Sequence, residues 1–115
     1  MEISATRLNQ TVVVSVVGSV DALTAGELDH YLSAQVNSGQ KQIVADLHQV
    51  DFMSSAGLRA LLHALKESRR RGGDLRLAAA RPGVDHTLKI SGFAAIIQSF
   101  STVDQAIASF GPGGI

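Results

Sequence analysis

The sequence predicts an α/β domain: a mixed, largely parallel β-sheet with covering helices, in the element order ββαβαβαβα. Two adjacent strand-like segments, joined by the polar pair Asn9-Gln10, read as an opening hairpin. After it, apolar stripes at helical spacing alternate with short β-rich runs, the pattern of parallel strands joined by right-handed crossovers. No repeat, linker or low-complexity stretch interrupts residues 1–110, and the Gly/Pro-rich end, 111–115, is expected to be a flexible tail. At 115 residues and 45% hydrophobic composition, one domain of this size buries roughly two-thirds of its unfolded surface and holds a core without staples.

Each element has its own signal. Glu2 to Leu8 and the Val-rich Thr11 to Val17 form the hairpin strands. Gly18 to Leu23 reads as a loop, and Thr24 with Glu27 has the spacing of a capping box opening a helix. Leu28, Leu32 and Val36 give that helix a buried face, and Gly39 ends it. Ile43 to Leu47 is a short strand, from which Val50 to Ser55 leads out. In the second helix Leu58, Leu61, Leu62 and Leu65 share a stripe, while Arg59, His63, Lys66 and Glu67 lie off it. Gly72-Gly73 stops it. Asp74 to Ala80 is the next strand, Pro82 opens a helix through Leu88 and Ile90 that Gly92 closes, and a last strand is expected around Ala95 to Gln98. Ser101 and Asp104 then cap a final helix through Ile107 and Phe110.

Composition excludes several classes of function. There are no cysteines, which removes thiolate metal sites and disulfide frameworks and fits a reducing compartment. No apolar run approaches the ~20 residues that span a bilayer, and the acidic, amphipathic start does not resemble a signal peptide, so a cytoplasmic protein is expected. Ten Lys plus Arg balance ten Asp plus Glu; no overall field draws the chain to nucleic acid or anionic lipid. The run Lys66 to Arg71 closes a helix, where cations complement the dipole, and no aromatic residue is interleaved with it. The four histidines show no metal-ligand spacing, and neither phosphate-binding glycine motif occurs, so no metal or cofactor is expected. Asp46 and Asp51 do not form the acidic cluster of a receiver-like domain.

The remaining candidate is the loop Phe52-Met53-Ser54-Ser55-Ala56-Gly57-Leu58, which places two hydroxyls at a helix start. One reading is structural: a serine there satisfies a free helix amide and contributes about 1 kcal/mol. The other is a phosphate, which the same helix terminus tolerates electrostatically. Such a phosphate would act at an interface, because one like-charge contact with an acidic partner at about 4 Å and an effective dielectric of about 20 costs up to ~4 kcal/mol before screening.

Gly18-Ser19-Val20-Asp21 before the first helix, Asp51 to Leu58, Gly73-Asp74-Leu75-Arg76-Leu77 and Ile90-Ser91-Gly92-Phe93 together resemble the anti-sigma factor antagonists, the single-domain members of the STAS family. The resemblance covers essentially the whole chain. It implies a STAS-like sheet and a non-enzymatic, phosphorylation-gated binding module. Its partners would be an anti-sigma factor that is also a serine kinase and a PP2C-type phosphatase. The unphosphorylated antagonist binds the anti-sigma factor and frees the sigma factor, and phosphate on the loop serine reverses this. The family's phosphoacceptor falls on Ser55, with Ser54 as second choice, and the aspartate of its G-x-x-D stretch falls on Asp21. Asp21, Ser54, Ser55, Ala56, Gly57, Leu58, Arg59 and His63 are the expected partner-facing residues. Ser54 stands where the family commonly has aspartate, which removes a negative charge and offers a rival acceptor. Ala56 stands where many members have Ser or Thr.

Two other classes compete. A constitutive scaffold or sensor subunit of the same fold would be regulated by ligand or assembly instead of phosphate. A serine hydrolase would need a base and an oxyanion hole beside Ser54 or Ser55. No G-x-S-x-G elbow is present, and His63 lies two turns beyond Ser55 on the same helix.

Overall fold

The computed structural model describes residues 1–111. Its elements are β1 (Glu2–Leu8), β2 (Thr11–Val20), α1 (Ala25–Asn37), β3 (Gln42–Met53), α2 (Ser55–Arg70), β4 (Asp74–Ala78) and α3 (Pro82–Ile90). A single 3₁₀ turn (Phe93–Ala95), β5 (Ser99–Phe100) and α4 (Val103–Ala108) complete the chain. The order ββαβαβαβα is borne out. The strands lie side by side in chain order in one five-stranded sheet. β1 and β2 are the antiparallel hairpin, with Glu2 opposite Val17 and Leu8 opposite Thr11; β2 to β5 are parallel neighbours. At the hairpin turn Asn9 takes φ 57°, a conformation that asparagine tolerates better than most residues.

Strand alternation divides the core in two. Ile43, Ala45 and Leu47 of β3 share one face with Val12, Val14, Val16, Leu75 and Leu77, beneath α1, α2 and α3. Val44 faces the other way, with Val13 and Ala78, under Ala106 of α4. The stripes of Leu28, Leu32 and Val36 on α1 and of Leu58, Leu61 and Leu65 on α2 are buried, as their spacing predicts. On the smaller face Arg76 anchors the end of α4: it pairs with Asp74 at 3.0 Å, donates to Ser109 Oγ at 2.8 Å and lies 4.0 Å from the Phe110 ring. The basic run is occupied in part by local pairs, Arg69 with Asp74 and Arg70 with Glu67.

Four expectations need correction. First, β2 continues to Val20 and β3 to Met53, well past Val17 and Leu47. Register shifts after Ser15 and after Gly18 absorb the extra residues of β3, so His48, Gln49 and Asp51 stay exposed without ending the strand. Gly18, at φ 103°, lies where one shift occurs. Second, β4 stops at Ala78, because Ala79 turns to φ 59°. Third, no strand forms at Ala95 to Gln98. Gly92 at φ 78° starts a tight turn in which Ile96 and Ile97 N–H both donate to Phe93 O, so Phe93 and Ile97 enter the core together and pairing is left to Ser99–Phe100. Fourth, Thr102 and not Ser101 caps α4, its Oγ1 accepting from Gln105 N at 3.1 Å. Gly39 and Gly72, both at positive φ, end α1 and α2 as expected. Of the expected tail only Gly111 is described; 112–115 lie outside the described residues.

Leu61 has no exposed surface and sits at the centre of the larger core. Leu61→Ala should lower the unfolding free energy by about 3 kcal/mol, read as a shift of the urea midpoint without loss of the two-state transition.

Candidate functional site

The site is built where β2 and β3 end. Val20 and Met53 are the last paired residues of these parallel strands, and Ser54 N–H donates to Val20 O at 2.8 Å, carrying the ladder one step further. Ser54 itself is extended, and its Oγ accepts from Gly57 N at 3.1 Å. It is therefore the N-cap of α2, half-buried and already committed to the fold. Ser55 is the first residue of the helix, exposed, and its hydroxyl has no hydrogen-bond partner among the described residues. The two adjacent serines thus have different local roles.

Gly57 explains how the helix start comes so close to the sheet. A Cβ at this position would lie 2.5 Å from Met53 Sδ and 2.8 Å from Val20 Cγ1. No side chain fits, and the first turn of α2 rests directly on the two strand ends. Leu58 is buried behind it and Ala56 is half-buried against the same core.

The loop after β2 organises around Asp21. Its Oδ1 accepts from Leu23 N at 2.9 Å and Thr24 N at 3.0 Å, and the Thr24 hydroxyl lies 3.1 Å away. Asp21 O accepts from Ala25 N at 2.9 Å. The expected Thr24–Glu27 capping box is therefore absent. Thr24 Oγ1 accepts from Asp21 N and reaches back to Ser19 O instead of capping α1, and Asp21 takes over the entry to the helix. The Thr24 amide, the Thr24 hydroxyl and the Leu23 amide, in that order, hold the Asp21 carboxyl below the usual aspartate range. Asp21 makes no hydrogen bond to either serine; the Val20–Ser54 bond is what brings its loop beside them. Next to it, Ser19 Oγ donates to Asp51 Oδ1 at 2.7 Å. Asp46 is likewise engaged, by the ring and amide of His48.

Two exposed apolar residues that were not among the expected partner-facing residues lie on these two segments. Leu23 is 93% exposed and Phe52 52% exposed. Leu23 belongs to no helical stripe. Phe52 pairs with Ser19 after a register shift, so the neighbouring Val50 and Met53 turn inward and it turns out. No local sequence signal marks either exposure, which follows from the loop conformation at Leu23 and the register shift before Phe52.

Arg59 and His63 continue the surface along α2. With Ala25, Gly26, Asp29 and Ala60 they line a shallow cleft of about 320 Å³ between α1 and α2. His63 Nδ1 lies 2.7 Å from Asp29 Oδ1, joining the helices. Arg59 is exposed and makes no hydrogen bond or ion pair among the described residues. The structure thus brings Asp21, Ser54, Ser55, Ala56, Gly57 and Leu58 to one end of the sheet and leaves His63 further along the helix. A larger cavity of about 960 Å³, lined by Arg69, Lys89, Ile96 and Ser99 among others, shares no residue with the serine loop. Among the described residues no three acidic, His or Cys side chains are grouped to hold a metal, and no helix is long and apolar enough to cross a membrane.

The family model for the STAS domain matches residues 2–106. BtrV of Bordetella bronchiseptica, a candidate anti-sigma factor antagonist, is 33% identical over 110 residues, covering 96% of this chain and 95% of its own. An anti-sigma factor antagonist from Mycobacterium paratuberculosis superposes with TM-score 0.87 at 25% identity, covering 94% of this chain and 92% of that one. The Bacillus cell fate determinant SpoIIAA in its phosphorylated form superposes with TM-score 0.72 at 20% identity, covering 95% and 99%.

Two outcomes are expected from this geometry. Gly57→Ala should cost roughly 1–3 kcal/mol of stability through overpacking against Met53 and Val20, and hydrogen exchange should speed up at the start of α2 before it does in β4. For Asp21 the folded carboxyl is depressed, so the stability it contributes is present above the ordinary value of 3.8 and is lost as pH falls through the lower folded value. The stability difference between wild type and Asp21→Asn, which keeps an acceptor but cannot ionise, should shrink as urea unfolding is repeated from pH 6 down to pH 2.

Proposed function

The chain belongs to the STAS domain family, as an anti-sigma factor antagonist, and we propose that it is a switch gated by phosphate on Ser55. In its unphosphorylated form it binds an anti-sigma factor with serine-kinase activity and so releases the sigma factor. That kinase then phosphorylates the loop serine and the complex dissociates. A PP2C-type phosphatase restores binding. The chain performs no chemistry itself; it presents a surface and a hydroxyl.

The observation that carries this reading is the division between the two serines. Ser54 Oγ is occupied by Gly57 N and its own N–H by Val20 O, whereas Ser55 is exposed with a hydroxyl that the fold does not use. A kinase can reach Ser55 without unfolding the helix cap. A phosphate at the first helical residue does not damage the domain, because the adjacent amides and dipole favour the anion. Its effect falls on the partner. Leu23, in the loop after β2, and Phe52, two residues before Ser54 in the chain, are exposed and supply apolar contact area, and a partner that covers them together with Ser55 must desolvate or repel a group of nearly two negative charges. Half of the ~4 kcal/mol like-charge cost is already more than tenfold in affinity.

The replacement of the family's usual aspartate by Ser54 is consistent with this division. Serine and aspartate both cap helices, so Ser54 keeps the structural function and lowers the charge beside the acceptor.

The test uses the anti-sigma-type kinase encoded in the same host. Intact-mass and phosphopeptide analysis after incubation should find one phosphate, on Ser55. Ser54→Ala should lose about 1 kcal/mol of stability and still be phosphorylated. Ser55→Ala should stay folded and bind the kinase without being modified. A phosphate found on Ser54, or a Ser55→Ala variant that fails to fold, would overturn the assignment.

A further inference from the structure

We infer that a phosphate on Ser55 is held by Arg59 of the same chain, so that modification both adds negative charge and withdraws a free guanidinium from the partner-facing surface. This rests on the Ser55 switch proposed above and names how the modified site is arranged.

Ser55 and Arg59 both belong to α2 and stand four residues apart, which places them on one helix face with Cβ atoms about 5–6 Å from each other. Helical side chains lean toward the amino terminus, so a residue covers the turn before its own Cα. An extended Arg59 side chain can therefore reach the turn that contains Ser55. Both residues are exposed, and none of the six ion pairs among the described residues uses Arg59. The acidic group across the cleft, Asp29, lies 2.7 Å from His63 Nδ1. Arg59 thus meets a new phosphate with no ion pair to break.

The chemistry favours capture. A guanidinium offers parallel N–H donors that match two phosphate oxygens, and such charge-assisted, bidentate pairs exceed ordinary surface ion pairs in strength. A lysine at the same place acts only as a point charge. Before modification the same guanidinium is available to a carboxylate of the partner. After modification it is engaged within the chain. One covalent event then changes the surface twice: an anion appears and a cation is removed from use.

The phosphate's second ionisation, ordinarily near pH 6, reports the contact. Asp21 and Asp29 raise it and His63, when protonated, lowers it, so the comparison is between variants that share these neighbours. Phosphoserine is installed at position 55 during translation in the full chain, which makes the sample independent of any kinase. Phosphorus NMR titration should then place the wild-type midpoint about half a pH unit or more below that of Arg59→Gln at low salt. Arg59→Lys should fall between them, and the gap should narrow in 1 M salt. Identical midpoints in wild type and Arg59→Gln would overturn the clamp while leaving the switch intact. Failure of the kinase to modify Ser55 would instead remove the switch, with the clamp still decided by the titration.

Discussion

Everything at the functional end of this domain depends on the absence of a side chain at Gly57. With Met53 Sδ and Val20 Cγ1 occupying the space a Cβ would need, the first turn of α2 packs directly on the ends of β2 and β3. That approach brings Ser54 within reach of Val20 O on one side and of Gly57 N on the other. Ser54 is thereby fixed, and Ser55 is turned outward on the first helical residue. The same Val20 bond ties the Asp21 loop to the serine loop. A steric constraint in the core thus determines which hydroxyl is presented to solvent.

The division of roles follows. A residue that caps a helix is poorly suited to being a modification site, because the phosphate would remove the cap. A residue one step further, at the first helical position, is exposed and electrostatically receptive. Asp21 performs the corresponding structural task in the neighbouring loop, holding Leu23 and Thr24 amides and leaving Leu23 projecting into solvent. The backbone of this surface is consequently tied by hydrogen bonds and its tips are apolar, and Arg59 on α2 makes no ion pair among the described residues. A preorganised surface loses little entropy on binding, and the proposed phosphate on Ser55 would change its charge without requiring a conformational transition.

Much of the fold was legible because the determining interactions are local. The stripes of α1 and α2, the Asn9-Gln10 turn and the glycine stops at Gly39 and Gly72 each lie within a few residues of the signal that marks them. The larger misreadings depended on tertiary packing and on partners distant in the chain. β3 passes through His48, Gln49 and Asp51 because β2 continues to pair with it, and no reading of apolar runs shows that. The segment after Gly92 carries strand-like residues, yet Phe93 and Ile97 reach the core from a turn. At the site, the Ser-x-Gly-Leu string and the Asp21 position were visible in the sequence, as was the alternative of Ser54 or Ser55. The exposure of Leu23 and Phe52 was not, since it depends on a register shift and a loop conformation. Thr24 and Glu27 matched a capping box by spacing, but the Thr24 hydroxyl found nearer partners in residues 19–21.

In the proposed switch, phosphate on Ser55 acts on a preformed surface and leaves the fold alone. Its most direct test is a comparison of backbone amide NMR spectra for the chain with and without phosphate on Ser55. Shift changes should be confined to residues 19–24 and 52–63, with β4, β5 and α4 unmoved. Changes spread through β4 and α4, or loss of the α2 amide signals, would contradict it and would mean that the phosphate works by unfolding or repacking the domain.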